Sequence, residues 1–134
     1  MALQFDTTLR NTMLDSIETS ISSGGAGKVQ IWTGSVPANC AAASTGTKLW
    51  EYTLGTDFMA NAASGSKAFN PVPLSAAAVA TGTAGYFRIV NNGGTAIMQG
   101  TVATSGADLN LDNTSINSGQ TVQITSWTVT APGA

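Results

Sequence analysis

"YFRIVNNGGTAIMQGTVAT", residues 86–104, decides how the rest of the chain is read. A β-rich run, YFRIV, meets Asn91-Asn92-Gly93-Gly94, residues that tolerate positive φ and favour a tight reversal. TAIMQGTVAT then leads back, so the stretch predicts a β-hairpin. Upstream, KVQIWT (28–33) alternates Val29 and Ile31 against Lys28, Gln30 and Trp32. KLWEYTL (48–54) sets Trp50, Tyr52 and Leu54 on one face and Leu49, Glu51 and Thr53 on the other. Downstream, TVQITSWTVT (121–130) changes apolar parity between Ile124 and Trp127, which predicts a bulge or bend near Ser126.

Only one segment has helical period. Leu9, Met13, Leu14, Ile17 and Ile21 fall on one face of a helix over about residues 7–22, with Asp6 or Thr7 as cap and Gly24-Gly25 as stop. The opposite face, with Arg10, Asp15, Glu18 and Ser20, is expected to meet solvent. Turn-rich stretches at 34–46, 61–67 and 70–84 read as loops suited to binding or assembly contacts. Together these signals predict a mainly β protein, an antiparallel β-sandwich or jelly-roll-like barrel with one N-terminal α-helix. The 134 residues form a single domain in this reading, with arm and helix in 1–25 and the sandwich in 26–134.

Charge is scarce. Five Lys or Arg and seven Asp or Glu leave a net −2, and charged residues are 9% of the chain against roughly 25% in an ordinary soluble domain. So few cations argue against nucleic acid as a partner. Gly, Ser, Thr and Asn together make up 56 residues, and 20 of the apolar residues are Ala, so the large-residue core is thin and cohesion shared with neighbouring subunits is expected. Asp6, Arg10, Asp15 and Glu18 interrupt the N-terminal region, which reads as neither a signal peptide nor a membrane span. Folding in a cytoplasm is expected. Cys40 is the single cysteine and reads as a small packed side chain.

Candidate chemistry is sparse. With no histidine, the usual general base and the commonest nitrogen ligand are missing. Glu51 and Asp57 flank the turn LGTDF, but no motif supports them as a carboxylate pair, and both read as solvated. Asp108, Asn110 and Asp112 are spaced like the first ligands of a calcium loop. That loop would place Gly sixth and Glu twelfth; Asn113 and Gly119 stand there instead. Leu109 and Leu111 alternate with the polar residues, so 108–112 reads as a half-buried strand followed by turns. Neither an enzymatic activity, a cofactor nor a metal is expected.

The second half of the chain, "GYFRIVNNGGTAIMQGTVATSGADLNLDNTSINSGQTVQITSWTVTA" (85–131), resembles a widespread family of small structural proteins encoded by tailed bacteriophages. FRI at 87–89, MQGTV at 98–102 and SGADLNL at 105–111 are its most specific elements. "KVQIWTGSVPANCAAASTGTKLWEYTL" (28–54) and LRNTMLDSIETSI are similar to the family's opening strands and helix. The resemblance implies a virion component, in first place a capsid decoration or cement protein, assembled in the host bacterial cytoplasm. Its partners would be the major capsid protein or other virion proteins, with self-association and without nucleic acid or membrane. A neck, collar or tail component is the nearest alternative. A carbohydrate-binding attachment module is a third, and it would need two solvent-facing aromatics in one groove. Leu3 and Phe5 in the arm and Trp50 and Tyr52 on their strand are the expected partner contacts.

Overall fold

The hairpin forms around the longest strand. In the computed structural model, which describes residues 3–55 and 57–133, β5 (Gly82–Val90) pairs antiparallel with β6 (Ala96–Ala103). The reversal closes through Asn91 N–H to Thr95 O (2.9 Å) and Gly94 N–H to Asn91 O (3.0 Å). Gly94 has φ +88°, a conformation that a side chain would strain.

On the other side of β5 lies β1 (Lys28–Thr33), and beyond it β2 (Lys48–Thr53). Opposed residues share a face, so Trp50, Ile31 and Phe87 form one inward row, and Tyr52, Val29 and Ile89 a second. Two-residue strands extend this sheet: β7 (Leu109–Asn110) runs parallel to β6, and β8 (Ser115–Ile116) pairs with the start of β5. The β6–β7 pair is the exception to the expected antiparallel pattern.

Two smaller ladders complete the β structure. β4 (Leu74–Ala77) pairs with β9 (Thr121–Ile124), and β3 (Ser66–Ala68) with β10 (Thr128–Thr130). The parity change in TVQITSWTVT is thus a strand leaving one ladder for another, with 125–127 as the bend. The stretches 61–67 and 70–84 are less loop-like than the sequence suggests, since they hold β3, β4 and the first residues of β5. The curled sheet and both ladders surround one core. In it Trp127 stacks on Phe69 at 4.4 Å and meets Phe87 edge-on at 4.8 Å.

Helix α1 spans Thr7–Ile21, with the Asp6 carboxylate accepting the Thr8 N–H at 2.9 Å as N-cap. Its orientation corrects the sequence reading. Arg10, Leu14 and Ile21 are buried, whereas Leu9 is 47% exposed. Arg10 and Glu18 therefore belong to the packed side. The cause is hydrogen bonding. Arg10 donates to the carbonyls of Ala131 (2.7 Å) and Pro132 (3.3 Å), while Glu18 accepts the N–H groups of Phe58 and Met59. Buried charge is tolerated when it is fully bonded in this way.

Candidate functional site

The outer face of the main sheet carries the polar residues of the alternating strands. Phe87 and Ile89 point inward, so Tyr86 and Arg88 point out, yet both are buried. Residues 34–46 fold over them. Arg88 donates to Gln99 Oε1 (3.0 Å), Ser44 Oγ (3.2 Å) and the carbonyls of Asn39 (3.2 Å) and Ala42 (2.6 Å). Gln99 Nε2 reaches the Pro37 carbonyl at 2.8 Å. The Tyr86 hydroxyl donates to Thr45 O and accepts the Thr45 N–H. An uncharged loop is thereby fixed by one guanidinium, one phenol and one amide. The sequence hinted at this through a cation in mid-strand on the polar face of the hairpin.

Beside that loop, Glu51 gathers Lys48 (2.9 Å), Lys28 (3.9 Å) and Gln30 (2.9 Å), and the Trp32 indole donates to Gln30. Burial pushes the Glu51 carboxyl up, but the bonds from Lys48 and Gln30 outweigh it and hold it below the usual range. Lys67, almost fully buried, contacts Asp15 at 2.8 Å and Glu18 at 3.3 Å. All five cations of the chain are thus engaged within it.

The expected contact residues fare unequally. Leu3 is 75% exposed. Phe5 is half-buried, its N–H bonded to Gly133 O at 2.7 Å. Tyr52 is half-buried beside a cavity of about 340 Å³ that also touches Asp57, Phe58 and Pro71. Trp50 is corrected: it is 0% exposed, stacked on Tyr52, with its indole N–H on Ala76 O, so it leaves a partner nothing to touch. Trp127 is buried as well, and Trp32 and Tyr52 lie on opposite faces of the sheet. The shared aromatic groove required for a sugar platform is therefore not formed by these residues.

Carboxylates are likewise used in the fold. Asp108 Oδ2 accepts the Thr101 N–H (2.9 Å) and hydroxyl (3.1 Å), and Asn110 Oδ1 accepts the Ala107 N–H. Leu109 and Leu111 enter the core between them, as the alternation predicts. Among the described residues no three His, Cys, Asp or Glu side chains gather closely enough to hold a metal ion. Glu51 lies on the outer face and Asp57 beside the Tyr52 cavity, so these two do not form a pair. Cys40 is a half-buried free thiol in the clamped loop.

Three cavities run along the C-terminal strands. One of about 310 Å³ lies beside Thr121–Gln123 and Leu111–Asn113, and one of about 300 Å³ between 107–110 and 125–128. A third, about 380 Å³, separates Met98 and Gln99 of β6 from Thr128–Thr130 of β10. The last two share Asp108, Trp127 and Thr128, so they form one cleft.

Fold and site together define a small mainly β half-barrel whose charges hold its own loops and helix in place. Compared with protein-family models, with curated proteins and with solved structures, the chain matches none of them.

Proposed function

We propose that this chain is a non-enzymatic structural protein of a tailed-phage particle, a decoration or cement protein that binds the head shell and stabilises it. The resemblance over 28–54 and 85–131 carries the reading. Support comes from how the charges are used. With every cation engaged within the chain, the surface offers mainly neutral hydroxyl, amide and small apolar groups. Such a surface binds through area and main-chain hydrogen bonds, adding roughly 25 cal/mol per Å² of apolar surface buried. Symmetry repeats each modest contact over the shell.

Two measurements test it. Particles assembled without the protein should form but burst at lower temperature or under osmotic shock; unchanged robustness would count against a cementing role. Stained against the major capsid protein, the band should correspond to on the order of hundreds of copies. A ring of about six to twelve copies would move the protein to the neck or collar.

A further inference from the structure

The cleft beside the C-terminal strands is bordered by strand edges that lack partners. In an antiparallel ladder, alternate residues turn both main-chain groups toward the neighbour and the rest turn them away. For β10, the bonds Phe69 N–H to Trp127 O and Ala131 N–H to Gly65 O assign 127, 129 and 131 to the β3 side. Thr128 and Thr130 therefore direct their N–H and C=O groups into the cleft. For β6, the bond from Thr101 N–H to Asp108 turns 101 away from β5, and with it 99. Asp108 occupies the edge at 101, and Leu111 bonds Ala103 O. At Gln99 the edge opens on the same cavity as Thr128 and Thr130. Among the described residues no strand pairs with β10 or β6 there.

By the same parity, Ala78 N–H to Gln120 O leaves Thr121 and Gln123 of β9 facing the neighbouring cavity. The opposite edge of the sheet differs: β2 is covered, with Val79 N–H on Leu49 O and the Trp50 indole on Ala76 O. The half-barrel is thus closed at one margin and open at the other.

We propose that the gap between β6 and β10 is an acceptor slot for an extended strand of a different protein. Its main chain would bond Gln99 on one side and Thr128 and Thr130 on the other. Strand addition of this kind takes affinity from main-chain bonds and selectivity from alternate side chains. Phe87, Met98, Trp127 and Val129 line the slot, so the inward side chains of the guest are apolar. Its outward ones are neutral or basic, because Asp108 stands in the cleft, Asp112 lines the neighbouring cavity, and no Lys or Arg lines any of the three. A second copy is a poor donor, since its strands are already taken up in its own ladders. The inference stands on the strand edges alone and goes beyond the particle reading.

The test uses the whole chain and end-blocked nonapeptides alternating Val with Thr or Lys, followed by residue-resolved amide exchange. In the free protein, Thr128 and Thr130 amides should exchange quickly. The peptide should slow them about tenfold or more, as expected for one or two added bonds. The same peptide N-methylated at alternate residues should give no protection, and one alternating Val with Glu should bind more weakly. Thr130→Pro removes a donor that faces only the slot, so binding should fall about tenfold while the β3 ladder persists. If that variant fails to fold, the N-methylated peptide still decides. Slow exchange in the free chain, peptide protection at other edges only, or protection produced by raising the concentration of the chain alone would each overturn the proposal.

Discussion

Helix α1 and the loop 34–46 are both pinned to the β structure through buried cations, but by different chemistry. The loop contains no charged residue, and Arg88 holds it through two carbonyls and a hydroxyl, with Gln99 adding a bond to the Pro37 carbonyl. The helix relies in part on ion pairs, Lys67 with Asp15 and Glu18, alongside the carbonyl bonds of Arg10. Neutral acceptors do not titrate, whereas carboxylates do. The two attachments should therefore fail under different conditions.

The largest effect is expected from Arg88→Met. It leaves buried carbonyls without donors and should cost about 3 kcal/mol, read as a lower urea midpoint. Proteolysis should then cut within 34–46 before it reaches α1. Cleavage at the helix first would break the distinction. Lys67→Met removes the partner of both helix carboxylates and should cost about 2 kcal/mol, less than a fully enclosed pair because Asp15 is 59% exposed. Amides of α1 should exchange faster in that variant while those of 34–46 stay unchanged. Gly65→Ala places a methyl against the Arg10 guanidinium at φ +76° and should cost about 1–2 kcal/mol, seen as a lower melting temperature.

Acid and base should give the smallest and most selective change. The hydrogen bond from Lys67 holds Asp15 below its ordinary pKa. Its contribution is present above the unfolded value of about 3.9 and is lost as pH falls through the folded one. Burial alone would lower Lys67, but its bonds to Asp15 and Glu18 prevail and raise it. That contribution is complete below the unfolded value of about 10.4 and disappears as pH rises through the folded one. Helix protection should thus be flat between these limits and decline outside them, with the loop unaffected near pH 3. Equal loss of both regions in acid would show that the neutral clamp is coupled to the ion pairs.

Much of this architecture was legible in the alternation of apolar residues. KVQIWT, KLWEYTL and YFRIV became β1, β2 and the second half of β5, and NNGG became the hairpin turn. Short strands escaped notice where Ala and Pro weaken the pattern, as in Leu74–Ala77 after Pro71 and Pro73. The helix was recognised, but its rotation was not, because periodicity counts apolar residues and gives no credit to Arg10. That residue turns inward to reach the carbonyls of Ala131 and Pro132, acceptors more than a hundred positions away. Trp50 was misplaced for a related reason. Alternation grouped it correctly with Tyr52 but did not show that the shared face is the core, sealed by the Ala76 carbonyl. The open edges of β6 and β10 have no local signature, since they exist only once the two ladders stand side by side.

The bond between Phe5 and Gly133 means that the two extremities of the described fold leave it side by side. A short linker could join them and new termini could be opened within Asn91–Gly94, giving a circular permutant with the same strand neighbours. Cargo fused at residues 3 and 133 would in turn emerge from one spot, paired rather than displayed on opposite poles.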